Sequence, residues 1–313
     1  MRKVSSQAWA IAFLTSLIVV LTGCSRLNTW KAEMAFRDAN GLYQGQDYRG
    51  AAAKYEEAIS LDPTRRDVYF FLGNSYDNLY RPARRGQAAN DELLAKAIEN
   101  YNTAAEKGQN PKIRKLALEY LVNAYGPDKL NDPSQSESML RRMTELDPAD
   151  PANYVALAKI SEDRGDTDQA EQLLVRAREA KPADPSVYVT LARFYQRRGN
   201  FEKQLETVQA LIHQQPDNAE AYYTLATFYW DKAYRNFKAS DPDKRNYIQS
   251  GMDAVDKALV LKKDYTEALA YKDLLLRLQA DLEKDRAKQQ ALLSEADRLR
   301  DRAQALQKQK KAL

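Results

Sequence analysis

Residues 148–216 read PADPANYVALAKISEDRGDTDQAEQLLVRAREAKPADPSVYVTLARFYQRRGNFEKQLETVQALIHQQP and carry the strongest structural signal of the chain. Within it, Pro148, Pro182 and Pro216 are spaced 34 residues apart. Self-similarity at a fixed period of this length is typical of architectures that stack one supersecondary unit many times. We therefore expect an array of similar units.

Each unit is predicted to be a pair of amphipathic helices. From Pro151 onward, apolar residues recur at three- and four-residue spacing, which is the period of a helix with one buried face. Gly165 and Gly199 allow a tight turn between the two helices, and the closing proline ends the second helix. One pair cannot bury both its faces, whereas stacked pairs can, so the pattern predicts an all-α solenoid.

The repeated residues closely resemble the tetratricopeptide repeat. They are Tyr154, Leu157, Ala158, Gly165, Ala170, Leu174 and Ala177 in one unit, and Tyr188, Leu191, Ala192, Tyr195, Gly199, Phe201 and Leu211 in the next. The resemblance implies a right-handed superhelix of about six helix pairs at residues 32–264, with a concave groove. The approximate repeats are 32–65, 66–110, 111–148, 151–182, 185–216 and 219–262.

Two repeats carry insertions. The first insertion, near residues 78–94, is basic through Arg81, Arg84 and Arg85. The second, near residues 235–247, has mixed charge: Asp241, Asp243, Lys244 and Arg245. Long loops of a solenoid usually project from one edge and often bind partners, so both insertions are candidate binding elements.

The tail, residues 265–313, contains no proline or glycine and favours a long charged helix. Its first turns, 269–282, are expected to cap the last repeat. A stripe at seven-residue spacing follows: Leu292, Leu299, Leu306 and Leu313, with Ala296 and Ala303 between them. Two interpretations stay open for this stripe, a short coiled coil through which the chain self-associates and a solvated helix.

The first 23 residues have the features of an export signal. Arg2 and Lys3 precede an apolar run, residues 8–22, which is shorter than the roughly 20 residues of a spanning helix. The run ends in Leu21-Thr22-Gly23-Cys24, which resembles the bacterial lipobox. The resemblance implies that residues 1–23 are cleaved, that Cys24 receives lipid, and that residues 24–31 form a tether.

Cys24 is the only cysteine of the chain, so it has no internal disulfide partner and is either lipidated or a free thiol. More than one acyl chain anchors a protein stably. In Gram-negative lipoproteins, a serine such as Ser25 after the cysteine resembles the signal for release to the outer membrane. The expected location is therefore the bacterial cell envelope, on the periplasmic face of the outer membrane.

Composition argues against several other functions. Residues 1–23 hold two bases and no acid, so the rest of the chain carries 46 basic and 44 acidic side chains, a balance that does not suggest nucleic-acid binding. His213 is the only histidine, and no phosphate-cradling glycine loop, HExxH or GxSxG motif occurs. Zinc normally takes His or Cys ligands. We expect no enzyme, no metal site and no cofactor apart from the lipid.

The resemblance also implies a binding surface, because the first helix of each tetratricopeptide pair lines the groove. Transferred to this sequence, the groove comprises Phe36, Asn40, Phe70, Asn74, Asp77, Asn123, Lys159, Arg193, Tyr223, Thr227 and Trp230. Aromatic side chains on an exposed face often mark interfaces. Asn74 and Asn123 resemble asparagines that clamp a peptide backbone, whereas the basic carboxylate-clamp residues of some family members do not match as a set.

Two functional hypotheses follow. In the first, a membrane-anchored scaffold binds other envelope proteins in its groove during assembly of a complex, such as pilus or secretion, outer-membrane protein or cell-wall machinery. In the second, the chain is a component of polysaccharide export, and its Tyr and Trp side chains contact glycan. A hydrolytic enzyme is a third class, for which the sequence offers no motif.

Overall fold

The computed structural model describes residues 27–312 and the side chains of 27–310. Its regular structure in that range is entirely helical, which confirms the predicted all-α class. The chain divides after Arg164 into two compact units, unit 1 before that point and unit 2 from Gly165 onward. The predicted signal segment and Cys24 lie outside the described residues.

The described part of unit 1 contains seven α-helices and one 3₁₀ turn, Pro82–Arg84. The helices are α1 (27–44), α2 (Tyr48–Leu61), α3 (Val68–Leu79), α4 (Ala88–Lys107), α5 (Pro111–Ala124), α6 (Pro133–Leu146) and α7 (Pro151–Asp163). From α2 to α7, each helix packs on the next. Residues 27–31, assigned to the tether from the sequence, are already part of α1.

The described part of unit 2 contains seven further helices. They are α8 (Thr167–Ala180), α9 (Pro185–Arg197), α10 (Phe201–Gln214), α11 (Ala219–Arg235), α12 (Asp241–Leu261), α13 (Thr266–Asp281) and α14 (Arg286–Ala312). Each packs on the next, and α11 also packs on α13, which is the first helix of the following pair. This is the arrangement of stacked helical hairpins.

Proline residues, and the acidic or amide residues that precede them, mark helix ends in both units. Helices α6, α8 and α10 end two residues before Pro148, Pro182 and Pro216, as the period predicts. Helices α7 and α9 begin at a proline in the first helical position, where its missing N–H costs nothing. The residue before each is an aspartate, whose side chain accepts a backbone N–H of the first turn.

The insertions mostly lengthen helices and add little loop. Helix α4 has 20 residues and is preceded by the short 3₁₀ turn. Helices α11 and α12 have 17 and 21 residues, against 13 and 14 in the regular pair α9 and α10. Helical extension satisfies backbone hydrogen bonds that an exposed loop would leave to water.

The tail is a helical hairpin, not one uninterrupted helix. The chain turns between Leu282 and Asp285, and the Asp285 carboxylate accepts the N–H of Ala287 at 2.9 Å, so aspartate caps the new helix without glycine or proline. Helix α14 then returns along α13 and buries Ala296, Leu299 and Ala303 against it. Within the described residues, the heptad stripe from Leu292 to Leu306 therefore packs on α13, and α13 and α14 form a further helix pair after α11 and α12.

Among the described residues, no helix is both long enough and apolar enough to cross a membrane.

Shortening the side chain of Leu299 tests this use of the stripe. We expect Leu299→Ala to lower the free energy of unfolding by about 2–3 kcal/mol, because a buried leucine loses its contacts with α13. The oligomeric state should not change. Urea denaturation followed by circular dichroism, together with light scattering after size exclusion, checks both points. Conversion of a wild-type dimer to a monomer by this substitution would contradict the intramolecular packing.

Gly73 tests how closely the paired helices approach. A Cβ at this position would lie 2.9 Å from Cδ1 of Tyr101 and 3.0 Å from the carbonyl oxygen of Ala97, both on α4. Gly73→Ala should therefore destabilise the protein by about 1–3 kcal/mol through overpacking. Gly41→Ala is the matched control, because its Cβ would meet nothing within 4 Å and alanine favours a helix by up to about 1 kcal/mol. Equal urea midpoints for the two variants would contradict the close contact.

Candidate functional site

The aromatic and amide candidates of α1 are engaged inside unit 1. The ring of Phe36 packs against Tyr55 and Phe71, with centroids 5.8 and 5.6 Å away, and the Arg65 guanidinium lies 4.7 Å from its centroid. The Tyr55 hydroxyl donates to Asn40 Oδ1 at 2.7 Å. Both candidates therefore stabilise the first repeat.

Asn74, a predicted peptide clamp, is buried in a hydrogen-bond network. Its Oδ1 accepts from the Tyr43 hydroxyl and from Asn78 Nδ2, the latter at 2.9 Å. Asn78 Nδ2 also donates to the Asn74 backbone carbonyl at 2.8 Å. An amide oxygen has two lone pairs, so both are taken by partners within unit 1, and this oxygen is not available to a ligand.

Asp77 forms an ion pair with a residue from a distant turn. Its carboxylate lies 2.5 Å from Lys129 Nζ, and the two side chains are only 9% and 14% exposed. The Tyr101 hydroxyl donates to the other carboxylate oxygen at 3.4 Å. Burial, with the nearby Asp77 charge, raises the pKa of Tyr101, so this phenol stays protonated and serves as a donor.

The long turn after α5 delivers Lys129 to this place. The turn is closed by backbone hydrogen bonds from Leu130, Asn131 and Asp132 to carbonyls of residues 124–126. Asn131 adopts a left-handed conformation with φ of 56°, which asparagine tolerates better than most residues. The lengthened turn thus fixes a cation against the inner helix of the preceding repeat.

The remaining candidates of unit 1 differ in exposure. Phe70 is buried and packs edge-on against Tyr120, with centroids 5.4 Å apart. Asn123 is exposed on α5. Lys159 is exposed on α7 and forms an ion pair with Asp163 one turn further along the same helix. Phe70 therefore belongs to the core, whereas Asn123 and Lys159 remain accessible.

In unit 2, the candidate Arg193 lines an open cleft between α9 and α11. The cleft has a volume of about 460 Å³ and is also lined by Ser186, Glu220 and Thr224. Thr227, one turn beyond, donates its hydroxyl to the Thr224 carbonyl at 2.7 Å. This hydroxyl is therefore satisfied within its own helix, whereas Arg193 and Glu220 remain exposed.

An aromatic strip continues from this cleft along α11 and α13. Its centroid distances are 5.1 Å from Tyr265 to Tyr223, 5.4 Å from Tyr223 to Tyr271 and 5.6 Å from Tyr271 to Trp230. Trp230 then stacks on Tyr234 at 5.0 Å with an interplanar angle of 9°. The structure thus brings the predicted Tyr223 and Trp230 into one continuous surface.

The strip changes character along its length. At the Tyr265 end, burial raises the pKa of Tyr265 to about 12, and the exposed carboxylates of Glu220 and Glu267 contribute. Lys262 Nζ lies 4.3 Å from the Tyr265 centroid. The opposite end is more open: Tyr234 is 55% exposed. Phe237, just past the end of α11, is 86% exposed.

Sequence reasoning missed Lys129, Tyr234, Tyr265 and Tyr271. Trp230 was predictable from the sequence, because Tyr223 precedes it by seven residues and both therefore lie on the same face of one helix. The other tyrosines lie outside the repeat positions, and Lys129 is in a turn. Among the described residues, no cluster of three or more His, Cys, Asp or Glu could hold a metal ion.

A double-mutant cycle tests the Asp77–Lys129 pair. Lys129→Met leaves a carboxylate buried without its cation, so we expect a loss of about 2–3 kcal/mol in unfolding free energy, below the full cost for a deeply buried pair. Asp77→Asn added to Lys129→Met should recover part of that loss. Lys159→Met is the control, because its exposed pair contributes little. Equal urea midpoints for Lys129→Met and Lys159→Met would contradict the assignment.

Comparison with known proteins identifies the repeat in the middle of the chain. The family model for the tetratricopeptide repeat matches residues 129–188 and 162–228. No curated protein matches the chain. A solved structure, the C-terminal part of a tetratricopeptide-repeat protein from Cytophaga hutchinsonii, is 15% identical with a TM-score of 0.55, covering 84% of this chain and 95% of that one. It shares the fold.

Two further solved structures are similar over part of their geometry. A tetratricopeptide-repeat protein from Parabacteroides merdae is 13% identical with a TM-score of 0.43, covering 85% of this chain and 99% of that one. YrrB, described as a tetratricopeptide-repeat protein with an unusual peptide-binding site, is 23% identical with a TM-score of 0.38, covering 60% and 88%. With the repeat motifs, the stacked hairpins and the family match in agreement, the chain contains tetratricopeptide repeats, matched at residues 129–228, and such repeats imply a scaffold for protein–protein interaction.

Proposed function

We propose that the protein is a lipid-anchored scaffold of the bacterial cell envelope, held to the periplasmic face of the outer membrane through Cys24. In this role it binds other envelope proteins and assists assembly of a complex. It acts by binding and not by catalysis, and it needs no cofactor apart from the covalent lipid. The support for the anchor is the sequence Leu21-Thr22-Gly23-Cys24 after an apolar run that is too short to span a membrane.

The observation that carries the binding role is the open end of the aromatic strip. Trp230 and Tyr234 stack face to face, and more than half of the Tyr234 surface is accessible. Phe237 adds a nearly fully exposed ring. Tryptophan and tyrosine are enriched among the residues that carry most of the energy of protein interfaces. Burial of these rings by a partner would remove apolar surface from water without ordering flexible side chains.

The cleft beside the strip adds polar recognition to this surface. Arg193 and Glu220 face a common cleft from neighbouring inner helices, so one ligand can meet a cation and a carboxylate before it reaches the rings. In unit 1, three of the corresponding inner side chains, Asn40, Asn74 and Asp77, are already engaged by Tyr55, Tyr43 and Lys129, respectively. We therefore propose that partners engage the inner face of unit 2.

Site-specific photo-crosslinking in living cells tests the binding role. A photoreactive side chain at Tyr234 should capture one dominant envelope protein, because this residue is exposed and does not support the packing of α13. The same group at Arg176, an exposed residue of α8, is the control. Capture of a polysaccharide from Tyr234 would favour the export hypothesis. Equal capture from both positions, or from neither, would contradict the proposed surface.

Replacement of Cys24 tests the anchor separately. Cys24→Ser should move the protein from the membrane fraction to the soluble periplasm, because it removes the acceptor thiol. Mass spectrometry of the wild-type N-terminal peptide should detect acyl chains on Cys24. Ser25→Asp, which keeps the thiol, should retain the lipid but shift the protein toward the inner membrane. A wild-type protein with an unmodified Cys24 in the soluble fraction would overturn the anchor.

A further inference from the structure

Two departures from the repeat pattern meet in unit 1 and enclose a pocket. The first is the insertion around the 3₁₀ turn Pro82–Arg84, and the second is the lengthened turn that contains Leu130. The Arg85 guanidinium donates to the Leu130 carbonyl at 3.2 Å and joins them. Between them and α4 lies a cavity of about 440 Å³, the insert pocket.

The insert pocket has an apolar lining on a fixed floor. Tyr80, Leu94 and Ile98 line it from the second repeat, and Tyr125 and Leu130 close it from the third. Tyr80 and Leu94 are 3% and 2% exposed and belong to one core cluster, so the floor is set by packing. A volume within the roughly 300–1,000 Å³ of ligand pockets accommodates a bulky apolar side chain.

Arg85 lines the insert pocket, and Arg81 and Arg84 lie beside it in the same insertion. Arg81, Arg84 and Arg85 are all exposed. Arg81 donates to the carbonyls of Asn78 and Tyr80, and Arg85 to that of Leu130. Within the described part of the chain, none of the three arginines forms an ion pair with a carboxylate. Their guanidinium groups therefore have no carboxylate partner within ion-pair distance among the described residues.

Two acidic residues, Asp91 and Glu99, also line the insert pocket. The Asp91 carboxylate accepts the N–H of Gly86 at 3.0 and 3.2 Å and holds the insertion on the first turn of α4. Glu99 lies eight residues further along α4, a distance of about 12 Å at 1.5 Å per residue. The field at the mouth thus favours an anionic group near the arginines and disfavours one near Glu99.

We infer that the insert pocket binds an acidic peptide segment of a partner protein. One bulky apolar side chain of that segment enters the cavity, and its flanking carboxylates pair with Arg84 and Arg85. Apolar anchors in fixed pockets and carboxylate–guanidinium pairs supply affinity and specificity, respectively. This site lies in unit 1, on a different surface from the aromatic strip, and requires neither the strip nor the lipid.

Fluorescence anisotropy with the full-length protein in detergent micelles tests the inference. The probe is fluorescein-labelled Glu-Glu-Leu-Phe-Glu-Glu-amide. Reversal of two charges, Arg84→Glu with Arg85→Glu, should raise Kd at least tenfold. Ala95→Trp should do the same, because Ala95 is an exposed α4 residue that lines the pocket, so the indole fills the cavity without disturbing the core. Arg176→Glu, a charge reversal in unit 2, should leave Kd unchanged. Circular dichroism verifies that each variant is folded.

Several outcomes would overturn the inference. A second probe, Lys-Lys-Leu-Phe-Lys-Lys-amide, carries the opposite charge. If it bound saturably with the same affinity, the arginines would not contribute to binding. An unchanged Kd in the charge-reversed protein or in Ala95→Trp would show that the probe does not bind in the insert pocket. Absence of saturable binding at 1 mM probe, or binding only to vesicles with about one third anionic lipid, would exclude a peptide ligand. None of these results would change crosslinking from Tyr234, so the two proposals fail independently.

Discussion

Neighbouring helices approach each other so closely that small residues are required where they meet. In unit 1, Gly73 leaves no room for a Cβ beside Tyr101, and in unit 2 a Cβ on Gly251 would lie 2.9 Å from Cδ2 of Leu275. Small residues at these contacts allow the large neighbours, such as Tyr101 and Leu275, to be completely buried. Interiors packed at this density tolerate little change in volume. The repeat period therefore reflects the requirements of helix packing and does not by itself indicate a function.

The same constraint decides which side chains remain for binding. Once one face of each inner helix is committed to its partner helix, the other face carries the polar and aromatic residues. In unit 1, Asn40, Asn74 and Asp77 are held by hydrogen bonds and an ion pair to other parts of the unit. In unit 2, the corresponding face carries an open cleft and rings that pack on one another only in part. Equivalent repeat positions thus serve different purposes in the two units.

Sequence reasoning predicted the fold well because the signals are local. Helices α6, α8 and α10 end two residues before a proline, and a capping aspartate precedes the proline that begins α7 or α9, so each of these boundaries is encoded within a few residues. The candidate site was less predictable, because its contacts join residues far apart in sequence. Asp77 and Lys129 are separated by 52 residues. The turn before α14 is held by the carboxylates of Glu283 and Asp285. Neither residue stands out from the surrounding run of strong helix formers, so the sequence contains no clear sign of a turn.

Departures from the repeat are where a solenoid of this kind can acquire a specific partner. Regular positions are fixed by packing and are shared by every repeat, so they distinguish one ligand from another only weakly. The lengthened α11 adds Tyr234 to the aromatic strip, and the insertion at Arg81–Gln87 together with the turn at Leu130 encloses a pocket that a regular pair would lack. Both features rest on packed neighbours, the half-buried Tyr271 against Trp230 in one case and the buried Tyr80 with Leu94 in the other. Specificity and rigidity therefore arise at the same irregular places. An insertion that already packs on the core loses little conformational entropy when a partner binds to it.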